Sequence, residues 1–533
     1  MNRCFGHNGV VGKMGRRFQN VFHTKSGGRR DYGNMIQYGF HQYPSSKNPP
    51  EYLETTYKTK ERALESNSRF PPLTERLAGA PDPSVEHPAP TTKVSTTVLP
   101  NGVQVMSREA FGPVTTFAIA VRAGTQYENQ SFYGRAHLLE RLIPCGSERI
   151  SQKVITDFLE SSGATVLPQA TPEGIVYTSD CLRDDVPQMM EFMKESVRFP
   201  LVTEENFDYH RRLLYDHVEQ LPSTTPPYMW VPEVANRHCF QGCPLSNEFT
   251  LMLHTLPDLT LDHVMDFHAD HFHSGNIVIT ATGYDHAHLV RLVEDMFGDM
   301  PRKEATPCPV QQYNGAGIVF EQVEPERGTS VCLSFEGVGV NDDRFPAMCV
   351  LYFLMGGGFA FSAGGPGKGM YSRLYANVLS RCHWIKTLMA LPMGYRHTGL
   401  FSIFGETDHG QIHAAAGIIN DSLSDLYGVL QDLPDEELVR AKNFFKGTYV
   451  SSLESRVRSC SDMAFSALMD SVTDPVEWLE AVDNVSGEDV QNLLRFILRS
   501  KPTCYIMCPE ELDHNVRPAI ENILATALPA SEL

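Results

Sequence analysis

Two stretches of this chain carry residue types that could do chemistry. The first reads Gly134-Arg-Ala-His137-Leu-Leu-Glu140-Arg141-Leu-Ile143. His137 and Glu140 are three apart, so on a helix they share a face. An inverted zinc motif reads H-x-x-E-H, where two imidazoles bind the metal and the carboxylate activates its water. Here Arg141 stands where the second histidine belongs. A guanidinium has no free lone pair and stays charged at neutral pH, so it repels a cation rather than ligating it. The two donors left fall short of the protein ligand set of a catalytic zinc. The same spacing also suits an ordinary helix in which Glu140 pairs with a basic neighbour, and His-x-x-Glu alone is a weak signal.

The second stretch runs from Met355 to Tyr375. It holds Gly356, Gly357, Gly358, Gly364, Gly365, Gly367 and Gly369, with Pro366 among them. So many glycines are not expected to hold a regular element. The spacing predicts helix before them, over Phe345–Leu354, and after them, over Ser372–Leu379. A phosphate cradle fails on sequence: Gly367-Lys368 is followed by Gly369 instead of Ser or Thr, and no strand leads directly in. A passive linker and a mobile loop against an extended peptide remain open. Glycine lets a ligand backbone come close, and Phe359 and Phe361 offer apolar contact.

The twelve cysteines include no C-x-x-C pair. Cys239 and Cys243, beside His238, and Cys504 and Cys508 are spaced i,i+4. Structural zinc sites use four ligands at tighter spacing, so these read as scattered thiols of a reducing compartment.

The elements that must position these residues read as α+β rather than strict βαβ alternation. Order is expected from Thr92. Ser95–Met106 reads as strand, Asn-Gly turn, strand, and Val114–Tyr127 as a second β stretch. Helical spacing covers Gly134–Ile143, Gln152–Ser161 and Asp185–Val197, with a strand over Gly174–Leu182. The later chain repeats the earlier one. Leu256–Phe267 before a strand at Asn276–Thr282 matches Val482–Leu493 before Thr503–Met507. Thr203–Glu219 likewise matches Pro434–Leu453. A duplication follows. The expected division is a basic segment over 1–50, a linker over 51–91, a first domain over 92–300, a Pro- and Gly-containing connection over 301–315 and a second domain over 316–533.

Charge is uneven. Residues 1–50 hold eight basic residues and one acid, Asp31, a balance of +7 against −19 for the whole chain, which leaves −26 for the rest. A basic, acid-poor start is expected of a mitochondrial transit peptide. No run of about 18 apolar residues appears, which argues against a membrane-spanning helix and leaves only peripheral contact.

The strand, loop and helix around His137 resemble the M16 (pitrilysin-like) metallopeptidases, whose active members complete the zinc site with a distal glutamate. The corresponding region here is Leu213-Leu-Tyr-Asp216-His217-Val-Glu219-Gln220, with Asp216 or Glu219 as the expected counterpart. The run Phe361–Tyr375 resembles the glycine-rich segment of the α-subunits of mitochondrial processing peptidases, and broadly similar sequence covers about residues 92–525. Met355 and Phe359-Ala360 depart from the small residues expected there.

The resemblance implies two homologous M16-type domains, each a mostly antiparallel sheet covered by helices. It implies a non-catalytic, substrate-binding chain of the mitochondrial matrix, peripheral on the inner membrane at most. It implies no cofactor of its own and a β-subunit partner that carries the zinc. Its ligands would be the basic presequence peptides of imported precursors, bound by Gly356, Gly357, Gly358, Phe361, Gly364, Gly365, Gly367, Lys368 and Gly369. No nucleic acid is expected. A structural core subunit of the respiratory bc1 complex shares this fold, but the intact glycine loop argues against it; Arg141 argues against an independent zinc endopeptidase.

Overall fold

The computed structural model of the chain describes residues 93–359, 370–408, 410, 412–471, 474–510 and 516–527. The expected transit segment, the linker over 51–91, and Phe361, Gly364, Gly365, Gly367, Lys368 and Gly369 lie outside the described residues.

The first half builds one six-stranded sheet. Its strands are β1 (Ser95–Val98), β2 (Gln104–Arg108), β3 (Val114–Val121), β4 (Thr165–Ala170), β5 (Ile175–Leu182) and β6 (Ile277–Thr282), in the order β1-β2-β6-β3-β5-β4. Only β2 and β6 run parallel within it; the other pairs are antiparallel. β3 is buried along nearly its whole length, as befits a central strand of β-branched and apolar residues. Around the sheet lie α1 (Arg135–Leu142), α2 (Gln152–Ser162), α3 (Val186–Arg198), α4 (Glu204–Thr224), α5 (Pro227–Cys239), α6 (Leu261–His271) and α7 (His286–Phe297). The predicted elements appear, except that the β stretch from Val114 stops at Val121 and gives way to a single 3-10 turn at Thr125–Tyr127. β4 escaped the sequence reading. It is an edge strand with Pro168 inside it, and edges are where a sheet tolerates proline.

The second half repeats the plan. β7 (Gly317–Gln322), β8 (Thr329–Val338), β9 (Gly357–Phe359), β10 (Thr387–Gly394), β11 (Thr398–Thr407) and β12 (Thr503–Cys508) form a sheet in the order β7-β12-β8-β11-β10-β9. Again one pair is parallel, β7 with β12. Its helices are α8 (Phe345–Met355), α9 (Ile412–Gln431), α10 (Asp435–Leu453), α11 (Arg456–Leu468), α12 (Pro475–Asp483), α13 (Gly487–Arg499) and α14 (Val516–Ala527). The helix expected after the glycines is a π-helix, Leu374–Leu379. α6 and α13 open with the same device: Thr260 and Ser486 cap them in full capping boxes with His263 and Asp489. The strands that follow, β6 and β12, start at 277 and 503, the same 226-residue separation as the caps at 260 and 486.

The two halves exchange helices. α5 leaves the first half and lays Trp230, Val231, Val234 and Ala235 into a core that includes Cys332, Phe404 and Tyr505 of the second sheet. α11, its counterpart, returns the favour by packing Cys460, Met463, Ala464, Phe465 and Leu468 on Met106, Ala118, Ala120, Val176 and Val278 of the first sheet. Each sheet hides one face under a helix of the other half. An apolar helical stripe declares that it will be buried but not against what, so this exchange was invisible in the sequence. The connection over 301–316 holds neither helix nor strand.

Candidate functional site: a two-walled chamber

The motif residues sit on α1. Gly134 precedes the helix with φ 110°, and the carboxylate of Glu128 closes its first turn. Glu128 accepts hydrogen bonds from the backbone N–H of Gly134 at 2.9 Å, Arg135 at 2.8 Å and Ala136 at 3.1 Å. A negative group there satisfies the free helix donors and complements the helix dipole. Burial nevertheless pushes Glu128 up to about 7, against the pull of His137, Arg135 and the backbone donors.

His137 Nδ1 lies 3.4 Å from Glu140 Oε2, and that oxygen also accepts from the N–H of Ala170 on β4 at 3.1 Å. Burial is the strongest influence on His137 and opposes its charged form, but Glu140, Glu128 and Glu233 together outweigh it and the pKa is raised. Across from α1 stands α4. The side chains that feel Arg141 are His210 and His217; burial and then Arg141 lower both pKa values. His210 Nε2 also touches Cys145 Sγ at 3.3 Å. Residues 210 and 217 are two turns apart on one face of α4, with Leu214 buried between them. His217, between Asp216 and Glu219 in sequence, is an α4 residue that feels Arg141, Glu140 and His137. These donors do not suit a catalytic zinc: His137 is engaged by Glu140, and a guanidinium takes the second position. Among the described residues, no group of three or more His, Cys, Asp or Glu side chains is placed to hold a metal ion. Cys239 and Cys243 are both buried, burial pushes the Cys239 thiol up to about 12, and the ring of His238 stacks on Tyr505.

His137 also faces a cavity of about 500 Å³ walled by both halves. The first half contributes Tyr133, His137, Glu173, Glu233 and Phe249; the second contributes Phe353, Tyr395, Tyr449, Asp462 and Phe465. The wall is therefore aromatic and acidic. Glu233, on α5, is open to the cavity yet enclosed by protein around it, so desolvation pushes its carboxyl up to about 7, opposed by His137 and reinforced by Glu248. Glu248 is neutralised by Arg237 at 3.1 Å, and Asp462 lies 3.6 Å from Arg458. Glu233 makes no ion pair among the described residues. Sequence gave no pointer to it, since a lone glutamate on an amphipathic helix is indistinguishable from a solvated one.

The glycine run begins at the end of α8. It corrects one expectation, for Gly357, Gly358 and Phe359 form a regular element, the short edge strand β9, paired antiparallel with β10. Glycine is needed at Gly357, where φ is +95° and a Cβ would fall 2.1 Å from the carbonyl oxygen of Leu388. The N–H of Gly357 donates to Ser372 Oγ at 3.0 Å, and the carbonyl of Gly356 accepts from Ala390 N–H at 2.9 Å. Phe359 sets its ring against Tyr228 at the start of α5, 5.3 Å between centroids. Beside this segment, Phe353, Leu354, Tyr371, Ala441 and Phe444 line an apolar groove of about 320 Å³.

Residues 104–250 match the family model described as insulinase, peptidase family M16, and residues 258–445 match the model described as the peptidase M16 inactive domain. The second match starts ahead of the 301–315 connection and so takes in β6, which hydrogen-bonds within the first sheet. The chain is 30% identical over 437 residues to the mitochondrial-processing peptidase subunit alpha of Solanum tuberosum, covering 81% of this chain and 84% of that one. It is 28% identical over 426 residues to the probable subunit alpha of Schizosaccharomyces pombe, covering 78% and 84%. It is also 28% identical over 463 residues to the human subunit alpha, covering 83% and 87%. Among solved structures, a protease from Helicobacter pylori superposes with a TM-score of 0.70 over 79% of this chain and 100% of that one, at 14% identity. That likeness speaks for the fold alone.

Proposed function

We propose a function for this chain from one premise: it belongs to the M16 peptidase family, among the α-subunits of mitochondrial-processing peptidases. It is the substrate-gripping, non-catalytic subunit of a mitochondrial processing peptidase, working in the matrix beside a β-subunit that holds the zinc and cuts. The observation that carries this reading is Arg141 in the place of the second motif histidine.

The chamber supplies the grip. A presequence is basic and amphipathic, and the wall offers both matching chemistries. Glu233, with the partly paired Asp462, faces cationic groups in a confined space where charge attracts more strongly than in bulk water. Phe353, Tyr395 and Phe465 take apolar side chains. The outer edge of β9 leaves backbone groups for an extended peptide to pair with, and the glycines keep side chains from blocking that approach. No residue of this chain is asked to activate water; its part is to bind and orient.

The test is a metal assay and a cleavage assay on the full chain, alone and with its β-subunit. The expected result is no stoichiometric zinc and no turnover alone, tight binding of a basic amphipathic peptide, and cleavage only with the partner. Stoichiometric zinc together with chelator-sensitive turnover by the isolated chain would overturn the reading.

A further inference from the structure

Where the two halves and the connection between them meet, three charged side chains interlock. Asp470 follows the end of α11, the helix that crosses to the first sheet. Arg122, just past β3 and almost fully buried, donates to Asp470 Oδ1 at 2.5 Å and to the carbonyl of Ala467 at 3.2 Å. Arg396, in the turn between β10 and β11 of the second half, pairs with the other oxygen of the same carboxylate. One carboxylate thus ties a residue of the first sheet to a hairpin of the second through the C-terminal end of the exchanged helix.

The neighbouring polar contacts share this geometry. Asn341 Nδ2 donates to the carbonyl of Met469 at 2.9 Å. Gln311, in the connection, donates to Gln126 of the first half at 2.8 Å and accepts from the N–H of His397 at 3.0 Å. The backbone at Asp470 is itself unusual. Its φ of 52° makes it, among the described residues, the one non-glycine position in the left-handed region. Such a conformation persists where its surroundings impose it. Met469 and Ser471 on either side, and Phe465, Ser466 and Asp462 one to two turns back, line the chamber.

We propose that Asp470 is the pin of an electrostatic clamp between the halves, and that the clamp sets the position of the chamber wall formed by α11. Arg122 and Arg396 are positioning residues. They lie outside the chamber lining and act on a bound peptide only through the helix end that they hold. The clamp stands on its own geometry; its consequence for peptide binding rests on the function proposed above.

The experiment uses the full chain and two readouts, hydrogen–deuterium exchange and the affinity for a fluorescein-labelled Arg- and Leu-rich amphipathic peptide. Asp470→Asn removes the charge but keeps a residue that tolerates the left-handed conformation. Arg396→Gln breaks the other arm, and Arg396→Lys keeps its charge. Exchange of the amides of 466–471 is expected to rise about threefold in D470N and R396Q and to recover in R396K. Peptide affinity is expected to fall about fivefold in the first two and to recover in the third. Unchanged exchange in D470N and R396Q, or no recovery in R396K, would overturn the clamp. Raised exchange with unchanged affinity would overturn its positioning role. Failure of the wild-type chain to bind the peptide, with exchange responding as expected, would sink the function proposed above and leave the clamp standing.

Discussion

The first helix of each half occupies the same place in the repeated plan, and the two have been put to opposite uses. α1 carries Arg135, His137, Glu140 and Arg141, a polar row over a buried apolar face. α8 is apolar nearly all round and almost wholly buried. The returns that follow differ as much. In the first half the chain turns over 143–151, locked by Pro144 and by the Ser147–Ile150 contact, and enters α2. In the second half α8 is followed by the left-handed glycines and β9, and the described chain after them enters a π-helix. One copy keeps titratable groups on a rigid helix; the other makes its helix a plain anchor and keeps its unusual chemistry in the backbone beyond. Read as a peptide-handling chain, the molecule divides its work in that way: charge from the first half, backbone from the second.

The sharpest way to break this comparison is to remove the second half's contribution. Deleting 356–369 is expected to weaken binding of a basic amphipathic peptide by about tenfold or more, about 1.4 kcal/mol, while the complex with the β-subunit still assembles. Gly357→Val is the milder version. Its Cβ would collide with the Leu388 carbonyl in a backbone region closed to valine, so β9 should detach from β10 at a cost of about 1–3 kcal/mol. Fluorescence anisotropy of the peptide and co-purification with the partner measure both. Undiminished affinity would return the glycine run to the status of a linker.

A second test strikes the first half's scaffold. Glu128→Gln keeps one acceptor oxygen but turns an NH₂ group toward backbone donors that now point at a carboxylate. A loss of about 1–3 kcal/mol in denaturant unfolding is expected, from a donor left unsatisfied in the interior. A neutral result would mean that α1 holds itself without its cap.

Much of this was legible and some could not have been. The Asn-Gly turn before Val103 and the strands that start near Ile277 and Thr503 announced themselves, because local chemistry dictates turns and strands. So did Arg141, whose meaning depends only on residue type. What failed depended on partners distant in sequence. That α5 and α11 change sides is a property of two sheets facing each other. That His210 and His217 come within reach of Arg141 depends on the rotation of α4 about its axis, which Phe207, Leu214 and Val218 set by packing inward. Glu233 became noticeable only when a cavity closed around it.

The charge on the first half should show itself in the pH dependence of binding. Desolvation pushes the Glu233 carboxyl from its ordinary 4.5 up to about 7, so it is largely neutral below 7 and charged above. Affinity for a basic peptide should therefore strengthen as pH rises through about 7, and Glu233→Gln should lower affinity a few-fold and reduce that slope. The slope should not vanish, because His137 also sheds its positive charge as pH rises past its raised pKa. Stability runs the other way. A carboxyl with a raised folded pKa contributes stability that is fully present below its unfolded pKa and is lost as pH climbs through about 7, so the variant should lose less stability over that range. A slope identical in wild type and variant would remove Glu233 from the binding wall.

The smallest effect is expected at the most conspicuous residue. Arg141 ends α1, feels no resolved carboxylate partner on α4, and influences His210 and His217 only by lowering their pKa values. Arg141→Gln should let both imidazoles titrate nearer their ordinary value, visible by NMR, because the cation that disfavours their protonation is gone while burial remains. A partly exposed charge without a tight partner contributes below about 1 kcal/mol, so unfolding should barely change. Peptide affinity should stay within about twofold, 0.4 kcal/mol, because Arg141 does not line the chamber. Arg141→His adds an imidazole beside His137, but Glu140 remains tied to His137 and to the Ala170 N–H. Hydrolysis by the isolated variant is therefore expected to stay absent. Zinc-dependent turnover from that single change would mean that the two halves differ by one residue rather than by a division of labour.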